Sequence, residues 1–182
     1  MAIAVDFGTS NTVIARWNPA TEGPETLALP GLSLGLGGVP PLVPSLVYVE
    51  QPQASGVVVG QAVRDRGLDI TADPRFFANI KRGIGAPLQG FLPDIDGQTL
   101  TFERLGEWFL RSLLTQVRQG LGDDDSLVLT VPVDSFEAYR LWLSDVAKAL
   151  DFSQVQLIDE PTAAALGYGL SGNQTLLVLD FG

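Results

Sequence analysis

The chain has 182 residues, of which 46 % are hydrophobic, and carries a formal net charge of −10. Its apolar content supplies a substantial core and argues against global disorder, while the acidic balance argues against sequence-independent nucleic-acid binding and against docking on an anionic membrane. With neither Cys nor His, disulfide frameworks, thiolate zinc sites and Ser–His or Cys–His catalysis are all excluded.

"AIAV" (2–5) and "TVIARW" (12–17) read as two strands joined by "DFGTSN", a tight loop of turn-forming residues. "ETLAL" (25–29) extends them to a three-stranded antiparallel meander. Residues 30–44 are too dense in Gly and Pro for a regular element. Short strands are expected at "SLVYVE" (45–50) and "GVVVG" (56–60), followed by a weaker helical or loop stretch to about Gly90.

From Thr101 the period changes. Phe102, Leu105, Phe109, Leu110, Leu113, Leu114, Val117 and Leu121 fall on one helical face, which Gly122 and the acidic run Asp123–Asp125 should end. "SLVLTV" (126–131) is a continuous apolar run, as in a strand buried on both faces. Asp134 with Glu137 resembles a capping box, and Phe136, Tyr139, Leu143, Val146 and Leu150 give the inner face of the helix that follows. "VQLID" (155–159) is read as the next buried strand. Pro161 suits the first turn of a further helix, stopped by Gly169 or Gly172, and "TLLVLDFG" (175–182) is a last strand.

The order is β-β-β, an insertion, α-β-α-β-α and one more strand. It predicts an α/β fold with a mixed five-stranded sheet, flanking helices and right-handed parallel crossovers. The core is expected at 1–29 and 96–174, with a small α+β subdomain inserted at 30–95 and residues 175–182 opening a second unit.

Several loops carry chemistry. In "DFGTSN", Gly8 frees the backbone while Thr9 and Ser10 offer N–H and hydroxyl donors to a phosphate, with Asp6 at the strand's end. An ordinary hairpin loop uses the same residues. Glu160, where a strand hands over to a helix, sits at the sheet edge that binds ligands in such folds, although it also suits the positive end of a helix dipole. Asp180 is a third carboxylate at a strand end. The three could converge on one hydrated Mg²⁺, the natural cation for a chain with only oxygen ligands. Lys81 lies in "NIKRGIG", and Lys occurs only there and at 148, whereas Arg is frequent. A compact ammonium suits phosphate oxygens or an attacking water, and equally a solvated surface.

These segments resemble, in order, those of the seventy-kilodalton heat-shock chaperones (heat shock protein 70), of the actin-like, ribonuclease H-like ATPase superfamily. "AVDFGTSNT" is similar to the family's first phosphate loop, "KRGIG" to its lysine segment, and "LTVPVDSFEAYR" to its proline-and-arginine segment. "LIDEPTAAALGYGL" resembles its first connecting segment, and "LVLDFG" the start of its second phosphate loop. The second loop position is Ser10 where the family commonly has Thr, and the residues after "TVP" depart from the usual run.

The resemblance implies ATP or ADP with Mg²⁺, and admits K⁺. Asp6, Glu160 and Asp180 would hold the cation through water. Gly8, Thr9, Ser10, Asn11 and Gly182 would lie at the nucleotide, and Lys81 would position the attacking water. Pro132 and Arg140 would form the relay to a peptide-binding domain. Implied partners of the full-length protein are unfolded client peptides, J-domain co-chaperones and nucleotide exchange factors, with no nucleic acid and no membrane. Adenosine would be held mostly by the family's other lobe, so the 182 residues alone should bind ATP weakly or undetectably and turn it over negligibly. The 175–182 strand would fray or pair with another chain's edge. A bacterial actin-like filament-forming ATPase is the alternative reading, and a sugar kinase, for which no sugar-binding candidate stands out, comes third. Asp6 interrupts the short apolar stretch near the start, and no run approaches the ~20 residues of a membrane span, so a cytoplasmic protein is expected.

Overall fold

The computed structural model describes residues 2–35, 37, 39–90, 92–119, 126–135, 137–152, 154–169 and 177–178. The chain opens with three strands, β1 (Ala2–Phe7), β2 (Asn11–Asn18) and β3 (Gly23–Thr26). A middle stretch holds β4 (Val43–Pro44), β5 (Val47–Val49), β6 (Val57–Val59), α1 (Gln61–Asp65) and β7 (Phe76–Phe77). A 3₁₀ turn at Ile80–Gly83 and the strand pair β8 (Asp94–Ile95) and β9 (Gln98–Thr99) follow. The last part alternates helices and strands: α2 (Phe102–Arg118), β10 (Ser126–Val131), α3 (Glu137–Lys148), β11 (Gln154–Asp159) and α4 (Glu160–Gly167).

The main sheet is mixed, in the order β11-β10-β1-β2-β3, with the two-residue β4 as a sixth strand on β2. β1 runs antiparallel to β2 and parallel to β10, which runs parallel to β11. The expected five-stranded mixed sheet is therefore present, with β4 added.

Strand periodicity decides what each face does. Ile3, Val5 and Phe7 are buried, whereas Ala2, Ala4 and Asp6 are exposed. Pairing sets Ile3 beside Leu127 and Val5 beside Leu129, so these apolar residues share the core face. Helix α2 packs there through Leu105, Trp108, Phe109, Leu110, Leu113, Leu114 and Val117. Thr101 caps it by accepting from the Arg104 N–H at 3.2 Å. Tyr139, Leu143 and Val146 of α3 join the same core, as do Val47, Val49, Val59 and Ile80 of the middle stretch.

Four expectations need correction. The third strand is Gly23–Thr26 rather than 25–29. β10 is buried on one face only, because Ser126, Val128 and Thr130 turn to the face of Ala4 and Asp6, which stays partly open. β11 has no fully buried residue, because it ends the sheet's strand order with a sheet neighbour on one side only. Asp134 is not at the start of α3, which among the described residues begins at Glu137; it lies in the turn where the Ser135 N–H donates to the Pro132 carbonyl at 3.1 Å.

Trp108 is buried although the periodic reading omits it, and Phe102 is only partly buried. The strand β7 lies within the stretch expected as helix or loop; it pairs with β5 to complete a small three-stranded sheet. The expectations for Leu121, Gly122, Asp123–Asp125, Phe136 and Gly172 lie outside the described residues, as does the 175–182 strand except for Leu177 and Val178. Those two are not in a strand, and both are exposed. Among the described residues no helix is long and apolar enough to cross a membrane.

Candidate functional site

The C-terminal ends of β1, β10 and β11 lie side by side, because the three strands are mutually parallel. Such an edge gathers whatever the following loops carry. Here it opens into a cleft of about 510 Å³ lined by Asp6, Gly8, Thr9, Ser10, Lys81, Arg82, Glu160, Pro161, Ala164, Tyr168 and Val178.

The loop between β1 and β2 forms one wall. A Cβ at Gly8 would stand 2.3 Å from the Asn11 carbonyl oxygen, so only glycine fits this turn. From beneath, Ser45 holds it. The Ser45 Oγ donates to the Gly8 carbonyl at 2.8 Å and contacts Thr12 Oγ1 at 3.0 Å, while the Ser45 N–H donates to the Ser10 carbonyl at 2.9 Å. Ser45 and Thr12 are both fully buried. At the wall's foot, Thr130 Oγ1 donates to Asp6 Oδ1 at 2.6 Å.

Lys81 enters from the 3₁₀ turn. Ile80 and Ile84 on either side of it are buried and anchor the segment. The glycines of "KRGIG" answer to packing: a Cβ on Gly83 would fall 2.2 Å from the Phe102 ring, and Gly85 takes a φ of +71° against Tyr139. Glu103 of α2 clasps the same segment, accepting from the Gly85 N–H at 2.9 Å and from Gln89 Nε2 at 2.5 Å. Burial pushes the Glu103 carboxyl up, but the hydrogen bonds from Gln89, Gly85, its own N–H and Thr101 outweigh it and leave the group below its usual value. The Lys81 side chain is 9 % exposed; its Nζ meets Glu160 Oε1 at 2.6 Å and stands 6.0 Å from the centre of the Phe7 ring.

Glu160 begins α4, with Pro161 in the first turn as expected. Helix α4 has no buried residue. Arg140 of α3 donates to Asp159 Oδ1 at 2.6 Å, one residue before Glu160. Pro132 lies just past β10 and away from the cleft lining. Burial pushes the neighbouring Tyr139 phenol up, and the charges of Glu160 and Asp6 add to this. Its hydroxyl is buried without a hydrogen-bond partner among the described residues.

Six of the candidate residues, Asp6, Gly8, Thr9, Ser10, Lys81 and Glu160, thus line one cleft. Asn11 does not; it starts β2 opposite Pro44. Asp180 and Gly182 lie outside the described residues. Among the described residues no three or more His, Cys, Asp or Glu cluster as metal ligands. Among the described residues, Asp6 and Glu160 each keep an oxygen beyond the one already bonded, and both residues line the cleft. An all-oxygen donor set of two carboxylates suits a hard cation held partly through water.

Sequence reasoning missed Ser45, Thr130, Asp159 and Arg82. Strand alternation could have found Thr130, which shares the face of Asp6 once β1 and β10 are paired.

The family model described as Hsp70 protein matches residues 45–182, more than half of the chain. The match takes in Lys81, Pro132, Arg140 and Glu160 and starts beyond the Gly8–Ser10 loop, so the loop's geometry is independent of it. It favours a heat-shock chaperone over a filament-forming ATPase, and it brings with it the actin-like ATPase fold and nucleotide binding with Mg²⁺. The chain belongs to the Hsp70 family.

Proposed function

We propose that the cleft is the phosphate-and-cation half of an ATP site, and that the chain supplies the first lobe of a chaperone ATPase. One observation carries this reading: a glycine-requiring loop, two carboxylates and a nearly buried lysine, from separated segments, line one cleft at the parallel strands' C-terminal ends. Thr9 and Ser10 offer donors to phosphate oxygens. Asp6 and Glu160 hold the cation's water, with Asp180 as third carboxylate. Bound Mg²⁺ would supply charge neutralisation at the phosphate oxygens. Lys81, held by Glu160, orients the attacking water. No covalent group is needed for this chemistry, which suits a chain without His or Cys.

The lobe is read as a ribonuclease H-like core, residues 1–29 and 96–174, with 30–95 as an inserted subdomain and 175–182 opening a second lobe. Pro132 and Arg140 form the relay to a peptide-binding domain, a role supported for Arg140 by its bond to Asp159 beside Glu160. In the full-length protein, hydrolysis is coupled to client peptides under J-domain co-chaperones and exchange factors, in the cytoplasm.

Single-turnover ATP hydrolysis by the full-length protein tests the reading. Lys81→Ala is expected to abolish turnover while Mg-ADP affinity falls much less; unchanged turnover would refute it. For the 182 residues alone, calorimetry is expected to find ATP binding weak or undetectable, and micromolar binding would overturn the half-site assignment.

A further inference from the structure

The Gly8–Ser10 loop is fixed by a residue far from it in sequence. Ser45 has one hydroxyl hydrogen, and it is donated to the Gly8 carbonyl at 2.8 Å. In the 3.0 Å contact with Thr12, the Thr12 hydroxyl must therefore be the donor. The result is a relay from Thr12 to Ser45 to Gly8, with a second tie from the Ser45 N–H to the Ser10 carbonyl. None of the described peptide bonds is cis. In a trans peptide the C=O and the next N–H point in opposite directions. Tying the Gly8 carbonyl down onto buried Ser45 therefore aims the Thr9 N–H the other way, to the side where Gly8, Thr9 and Ser10 line the cleft.

We propose that Ser45 is a positioning residue for phosphate binding, setting the Gly8–Thr9 peptide so that the Thr9 N–H faces an anion in the cleft. The inference rests on the reading of the cleft as a phosphate site. Ser45 touches no ligand; it acts through the loop. Without its hydroxyl, the Gly8 carbonyl loses its buried partner and the peptide is free to rotate toward water, turning its N–H away from the cleft.

Calorimetry on the full-length protein, with Mg-ADP and with adenosine as separate ligands, distinguishes positioning from plain stability. The readout is the preference for Mg-ADP over adenosine. Ser45→Ala is expected to lower that preference roughly ten-fold, as for loss of one well-aimed donor to a charged group, with adenosine affinity unchanged. Leu113→Ala, a core substitution on α2 away from the loop, is the control: it lowers the melting temperature and leaves the preference as it was. Should Ser45→Ala not fold, Ser45→Cys, slightly larger and with a weaker donor, is expected to show the same loss in smaller degree. A folded Ser45 variant with the full preference overturns the inference, as does an equal loss in Leu113→Ala. If the wild-type protein shows no preference for Mg-ADP, the phosphate reading of the cleft fails instead.

Discussion

The two walls of the cleft are built in different ways. The loop wall, from Asp6 to Ser10, stands on the buried core face of the sheet: Phe7 is fully buried against Phe109, and Ser45 ties the loop from below. The opposite wall is the start of α4, a helix with no buried residue on a strand with none. Two ion pairs hold it, Lys81 with Glu160 and Arg140 with Asp159. Packing fixes the first wall and charge fixes the second. On the proposed reading, such a site keeps Asp6 and the loop's donors still while the Glu160 side moves, so perturbations of the two walls should differ in kind.

Breaking the rigid wall should have the largest effect. Gly8→Ala puts a methyl 2.3 Å from the Asn11 carbonyl, and the turn must open. A loss of Mg-ADP affinity by about a hundred-fold, measured by calorimetry on the full-length protein, is expected. Leu129→Ala beneath the same wall should cost about 2–5 kcal/mol in denaturant unfolding, as for a fully buried leucine.

The charged wall should respond less. Lys81→Met removes the partner of a partly buried carboxylate. Its cost in unfolding free energy should be about 2 kcal/mol, between the values typical of exposed and buried pairs. The α4 amides should also exchange faster, while those of β2 do not change. Equal acceleration in β2 would erase the distinction between the walls.

Acid offers a finer test. Because Glu103 titrates below its usual value, its contribution is complete above the ordinary carboxyl range near pH ~4.3 and disappears as pH falls through the lower folded value. Glu103→Gln should flatten the acid side of the stability profile, and an unaltered profile would count against the clasp on the Lys81 segment. Smallest of all, Arg140→Ala should cost under about 1 kcal/mol, since its pair with Asp159 is substantially exposed.

Local pattern made much of this legible. Alternation and apolar runs marked β1, β2, β10 and β11, helical spacing marked α2 and α3, and turn residues marked the Gly8–Ser10 loop. Misreadings came where burial depends on neighbours. "SLVLTV" has the composition of a doubly buried strand, yet Thr130 turns to Asp6 on an open face. "VQLID" reads as interior, but it ends the sheet's strand order. Ser45 was invisible for a different reason: its bond to Gly8 spans 37 positions, and no spacing rule links a lone serine to a loop so distant. Glycines whose missing Cβ makes room for a ring, such as Gly83 against Phe102, are equally non-local.

Hydrogen exchange of the full-length protein with and without Mg-ADP tests the central assignment most directly, because it reads every segment at once. Protection gathered at residues 6–12, 78–84 and 158–164, larger with Mg-ADP than with adenosine, is the expected result. Nucleotide binding that leaves those three segments unprotected would contradict it.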